Sequence, residues 1–149
     1  MELRPIAEAD LPLLATWLPE TAQAAGCDRW SAPDAPGDAM GDPSVVVGEE
    51  NGEQSFLEYT AGEPQRGAAR VHFLAVPPDR RRLGTGHRSA LALEARLPAS
   101  IGRVYVSIPA RLGLALYFWL RLGYRPLTQR EWPAPPDDAP AVWMVREVR

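Results

Sequence analysis

Residues 68–108 constrain this chain more than any other part of it. "AARVHFLAV" is rich in β-branched and apolar residues and reads as a strand. "PPDRRRLGTGH" breaks it, a helix follows from Arg88 to about Leu97 with Leu91, Ala95 and Ala92 expected inward, and Pro98 stops that helix. "GRVYVSI" is then a second strand. Two strands joined through a crossover helix run parallel, with a right-handed connection. The remaining elements must be arranged around that one parallel step, Val71–Val76 to Val104–Ile108.

On the N-terminal side, "MELRPI" alternates like a strand. Asp10 stands where it would cap "LPLLATWL", whose Leu11, Leu14, Ala15 and Leu18 share one helical face. Pro12 is tolerated in the first turn, and Pro19 is expected to end the helix or begin a break. From Glu20 to Pro43 the chain is rich in Ala, Gly, Pro and Asp and reads mostly as a long loop, with room for a short helix at "ETAQAAG". Such a loop is either functional or a mobile insertion. Asn51-Gly52 between two β-rich runs predicts a hairpin. On the C-terminal side, "PARLGLALYFWLRLG" predicts a helix with Pro109 near its start and Gly123 as its stop. "YRPLT" and "AVWMVREV" are the closing strands, joined by a loop from Glu131 to Pro140. The pattern predicts one α/β (α+β) domain over 1–149, with a mixed, mostly antiparallel sheet of about six to seven strands flanked by helices.

A chain of 149 residues is long enough for one sizeable core. All 16 basic residues are Arg, read here as the coding bias of a GC-rich bacterial genome, and the net charge of −3 argues against a general nucleic-acid binder. Cys27 stands alone, so no internal disulfide and no cysteine-rich metal site is expected, and it reads as a free structural thiol. No apolar run approaches ~18 residues and "MELRPIAEAD" lacks a signal-peptide pattern, so the expected location is the cytoplasm, with no membrane partner.

The segment "DRRRLGTGHR" sets positive charge and bare backbone before a helix. A helix start leaves N–H groups unpaired, and Gly84 and Gly86 would let an anion approach them closely. The helix dipole and the forked donors of Arg80, Arg81, Arg82 and Arg88 favour phosphate there. Neither the Walker A ending nor the dinucleotide G-x-G-x-x-G pattern is present. Taken alone, the stretch reads equally well as a plain surface turn.

In context it resembles the acetyl-CoA-binding motif of the GNAT acetyltransferase superfamily: a strand ending in Val, then Gln/Arg-x-x-Gly-x-Gly/Ala, then a helix. Arg81, Gly84 and Gly86 match. "ALYFWLRLGYRP", with Gly123-Tyr124, is similar to a later helix of that family, and "MELRPIAEADLPLLATWL" to its opening. The resemblance implies a splayed parallel strand pair. It also implies that acetyl-CoA lies along Leu74 and Val76 and across Arg81, Arg82, Leu83, Gly84, Thr85, Gly86, His87 and Arg88. The implied activity is acyl transfer from the thioester to a primary amine of a small molecule or peptide, without a metal. The resemblance also allows a homodimer.

Such transfer needs a base for the ammonium, and an acid helps the thiolate leave. His72, on the strand leading into the motif, is the first candidate base, and Glu58 on the neighbouring strand the second. A satisfied core or surface histidine and an exposed sheet-face carboxylate are the competing readings. The family's usual acid is a tyrosine four residues before the Gly of Gly-Phe/Tyr; Trp119 stands there, and an indole is no practical acid. Tyr117 is the candidate acid nearby, about 200° round the helix from Trp119. Trp17, Trp119 and Trp143 read as core, whereas Trp30 and Trp132, in the two long loops, either wall an acceptor site or simply pack. Asp28, Asp34, Asp38, Asp137 and Asp138 in those loops would steer a cationic acceptor, or are solvated linker charges. The alternative function is a CoA-binding or protein-interaction domain that kept the fold and lost the acid.

Overall fold

A computed structural model describes residues 1–81, 84–135 and 140–149. Seven strands form one sheet: β1 (Glu2–Pro5), β2 (Val45–Glu50), β3 (Glu53–Ala61), β4 (Ala68–Ala75), β5 (Arg103–Pro109), β6 (Arg125–Pro126) and β7 (Ala141–Glu147). Their order in the sheet is β1-β2-β3-β4-β5-β7-β6. The helices are α1 (Leu11–Ala24), α2 (Ala35–Asp38), α3 (Thr85–Arg96) and α4 (Gly113–Arg121), with short 3-10 turns between them. The expected mixed sheet with flanking helices is therefore observed. The chain divides into two compact units, Met1–Glu58 with Phe73–Leu93, and Tyr59–His72 with Glu94–Arg149.

In the first unit β1 pairs antiparallel with β2, and β2 with β3. Asn51 and Gly52 both take positive φ, 52° and 78°, the conformation a two-residue hairpin turn demands. The core gathers Leu14, Trp17, Leu18 and Ala22 of α1 against Val45, Val47, Phe56, Phe73 and Trp30. Pro19 does not end α1, which runs on to Ala24. An interior Pro costs roughly 3 kcal/mol, but burying Trp17, Leu18 and Ala22 on either side of it outweighs that, at about 1.5–3 kcal/mol for a large apolar side chain. Ala15, expected inward, is exposed; Trp17 takes the core position, and its indole N–H reaches Gln54 Oε1 at 3.1 Å. Asp10 stands at the α1 N-cap position without a capping bond to the helix. Its carboxylate instead accepts from the Ala7 N–H at 2.8 Å and from both Arg4 Nη atoms at 2.6 and 2.7 Å.

In the second unit β5 pairs parallel with β4 over Ala68–Val71 against Arg103–Val106, the single crossover expected. β5 pairs antiparallel with β7 along its whole length, including Pro109 against Ala141. Pro109 therefore ends a strand instead of starting a helix, and α4 begins at Gly113. Gly123, at φ 96°, ends α4: the Tyr124 N–H bonds Trp119 C=O at 3.1 Å and the Gly123 N–H bonds Leu120 C=O at 3.0 Å. This paired pattern needs a left-handed residue, so glycine stands there.

Helix α3 starts at Thr85, three residues before the expected Arg88. Its buried side chains are Thr85, Ser89, Ala90, Leu93 and Glu94, while Leu91 and Ala95, expected inward, are exposed and Ala92 is half-buried. The buried face carries polar groups because each finds a partner: Ser89 Oγ bonds Ser55 Oγ at 2.7 Å, and Glu94 accepts from Tyr124. Among the described residues no helix is long and apolar enough to cross a membrane.

Candidate functional site

The sequence-predicted site residues fall into three groups. The first is the start of α3, in the first unit. Gly84 takes φ +84°, turning the chain so that α3 begins on the next residue. The Arg88 N–H closes the first helical bond onto Gly84 C=O at 3.0 Å. The N–H groups of Thr85, Gly86 and His87 precede that bond and have no acceptor within the helix, the arrangement that at a helix start favours an anion. The side chains there are arranged differently from the expectation. Thr85 is buried, and its hydroxyl donates to Glu53 Oε2. The Arg88 guanidinium donates to Glu50 Oε2 through Nε at 2.7 Å and to Glu53 through Nη2. Arg88 is thus held by two carboxylates at the ends of the β2–β3 hairpin, anchoring the first turn of α3 to the sheet. The N-terminal amine and Arg88 together hold the Glu50 carboxyl below the usual range. Arg81 and His87 are exposed, and Gly86, Leu74 and Val76 are half-buried. Arg82 and Leu83 lie outside the described residues, as do Asp137, Asp138 and the side chain of Arg80.

The second group surrounds Glu58, also in the first unit. Glu58 is not a free sheet-face carboxylate. It accepts from Trp30 Nε1 at 2.9 Å and from Arg29 Nη1. Trp30 is buried in the core, its ring edge-on to Phe56 with centroids 4.7 Å apart. It also lines a cavity of about 230 Å³ with Arg29, Ala35, Asp38 and Ala39. Arg29 is the residue that sequence reasoning missed. It lies 29 positions from Glu58, and no local pattern announces the pair. Nearby, burial pushes the Cys27 thiol up, which fits a structural thiol better than a nucleophile.

The third group is in the second unit. The His72 Nε2 lies 3.0 Å from Thr60 Oγ1 and 3.7 Å from Glu63 Oε2, with the ring partly open to solvent. Tyr117 is 59% exposed on α4, with the Arg121 guanidinium 5.7 Å from its ring centre. Trp119 is 5% exposed and packs edge-on to Tyr124 and Phe118 at 4.9 and 5.1 Å. Trp132 packs beside the cluster of Tyr105, Trp143 and Val145, its indole nitrogen buried without a partner. Among the described residues no group of His, Cys, Asp or Glu is arranged to hold a metal ion.

This architecture recurs in solved acetyltransferases. One from Thermus thermophilus is 20% identical, with 98% of this chain and 96% of that one covered at a TM-score of 0.73. A GNAT-family acetyltransferase from Staphylococcus aureus is 12% identical, with 99% of each chain covered at a TM-score of 0.64. The chain has the GNAT fold.

The aminoglycoside acetyltransferase AAC(6')-Ib, solved with coenzyme A and kanamycin, shares the GNAT fold at 18% identity, with 97% of this chain and 93% of that one covered and a TM-score of 0.72. No protein-family model and no curated protein matches the sequence. Trp119, four residues before Gly123, belongs to the core. Tyr117 and Trp119 occupy opposed environments on one helix, as their two-residue spacing requires.

Proposed function

We propose that this chain is an acyl-CoA-dependent N-acetyltransferase, acting on a primary amine of a small molecule or peptide in a bacterial cytoplasm. The observation that carries the reading is the start of α3: in a GNAT fold, directly after β4, a positive-φ Gly84 opens a helical turn whose N–H groups lack helix acceptors. Arg81 and the backbone of Gly84, Thr85, Gly86, His87 and Arg88 would hold the pyrophosphate of coenzyme A, with Leu74 and Val76 along its pantetheine arm. The sequence pattern adds Arg82 and Leu83 to this set. The Arg88 side chain serves by anchoring the turn, because Glu50 and Glu53 hold its guanidinium.

Bound acetyl-CoA supplies the acyl group as a thioester. His72 is the proposed base, its ring held by Thr60 and partly open to solvent. Glu58, whose two oxygens accept from Trp30 and Arg29, is the second candidate base. Tyr117, the only tyrosine on α4, is the proposed acid. Trp30 packs in the core of the first unit, and Trp132 packs against the aromatic cluster of the second. Buried Trp119 also favours a second reading, a CoA-binding or protein-interaction domain without turnover.

Thermal unfolding with acetyl-CoA, with ATP as the phosphate control, tests the reading. Ligand at a hundredfold over Kd adds roughly 2.7 kcal/mol, or about 5–11 °C in Tm for a domain of this size. A shift with acetyl-CoA alone supports CoA binding, and thiol release across an amine panel then separates enzyme from binder. No shift with either ligand would leave the α3 start as an ordinary surface turn.

A further inference from the structure

We infer that the Trp30–Glu58 corner is a receptor for a guanidinium or primary ammonium group, and that Arg29 fills it until a ligand cation takes its place. The two sides of the contact are built differently. The Glu58 side chain is 13% exposed, and one oxygen is fixed by the Trp30 N–H. Trp30 itself is 1% exposed and locked against Phe56. Carboxylate and ring are therefore a rigid, preformed pair. A carboxylate so far from water needs a cation beside it, and the face of an indole attracts one.

Arg29 supplies both contacts at present. It donates to Glu58, and its Cζ lies 4.5 Å from the Trp30 ring centre. Yet its side chain is 50% exposed, and its third partner, Asp42, is reached at 3.7 Å. The cation is the solvent-facing member, carried on the short turn Asp28–Trp30. Arg29 is also one wall of the 230 Å³ cavity that holds Asp38 on its lining. Displacing Arg29 would vacate one wall of that cavity beside Trp30, and Asp38 on the same lining offers a second carboxylate. The space then suits a cation carrying a further donor. A tethered arginine competes with any such ligand, so the apparent affinity falls by the fraction of time the corner is free. Arg29 thereby selects for ligands whose cation and remaining contacts together outcompete it. That this ligand is the amine acceptor rests on the acyltransferase reading; the cation site itself does not.

Methylguanidinium chloride, with methylurea as the neutral counterpart and NaCl as the ionic-strength control, is the probe. Calorimetric titration of the wild type, Arg29→Ala and Arg29→Ala/Glu58→Gln is expected to show saturable binding in Arg29→Ala. Wild-type binding should be at least about tenfold weaker, as for a corner free a tenth of the time or less, and the double variant should not bind. Arg29→Gln, which keeps a donor for Glu58 without the charge, serves if the alanine variant fails to fold by circular dichroism. Equal affinity in wild type and the Arg29 variants, or binding retained without the Glu58 charge, overturns the inference. The acetyl-CoA shift, read on the same proteins, reports separately on the acyltransferase reading. Its absence together with methylguanidinium binding would remove that reading and leave the cation site standing.

Discussion

Gly84→Ala tests the link between backbone geometry and ligand binding. Gly84 sits at φ +84°, where an added Cβ costs about 1–2 kcal/mol. The new methyl would also stand 2.9 Å from Arg88 Nη1. That atom is the end of a flexible side chain and gives way, but moving it disturbs the pairs with Glu50 and Glu53 that anchor α3. The Tm should therefore fall by roughly 2–8 °C, at about 2–4 °C per kcal/mol for a domain this size. Gly62→Ala is the matched control: φ is +87°, and nothing lies within 4 Å of the new methyl. It carries the backbone strain without touching α3. Circular dichroism melts and acetyl-CoA titration of both variants give the answer. Gly84→Ala should lose about tenfold or more in acetyl-CoA affinity, equivalent to about 1.4 kcal/mol of misaligned N–H contacts, whereas Gly62→Ala keeps it. Equal stability losses with unchanged affinity in both would refute the assignment of the α3 start as the pyrophosphate site.

Acid unfolding should pass through Asp10. Arg4 beside Asp10 holds its carboxyl below the usual range, so this stabilisation is complete above about pH 4 and is lost as the pH falls through the depressed native value. Asp10→Asn should lower Tm by about 4–8 °C at pH 7, from roughly 2 kcal/mol of charged hydrogen bonds, and should flatten the dependence below pH 4; an unchanged acid limb in the melting curves would contradict this. Burial and the Glu94 charge push the Tyr124 hydroxyl well above the usual phenol range, so ultraviolet titration should show Tyr124 staying protonated until the chain unfolds. Tyr124→Phe strips a hydrogen bond from buried Glu94 and should lower stability by about 1.5–3 kcal/mol in denaturant titration, against little change for exposed Tyr117→Phe. If His72 is the base, His72→Gln should reduce kcat by about 10²–10⁴, abolish the acidic limb of the pH–rate profile and leave acetyl-CoA affinity intact; a retained limb would move the role elsewhere.

The sequence by itself determined the features that depend on neighbours in the chain. Alternation marked the strands, Asn51-Gly52 made the hairpin turn, Gly123 closed α4, and the strand–turn–helix–strand run required the parallel step. These are short-range effects of φ preference and side-chain period, readable wherever they occur. The same reading located Gly84 before the crossover helix, because a positive-φ turn at a helix start has a local chemical signature, whereas Gly86, expected before the helix, lies inside its first turn. Tertiary structure alone decided what depends on partners far along the chain. Burial of Trp17, Leu18 and Ala22 carried α1 through Pro19. Distant Ser55 and Tyr124 gave Ser89 and Glu94 buried partners on α3, while Leu91 and Ala95 stayed outside. Arg88 went to Glu50 and Glu53 instead of remaining an open phosphate ligand, and Arg29 met Glu58 across 29 residues. A charge or polar group takes its place from whichever counter-charge the fold delivers, and no local pattern along the chain encodes that encounter.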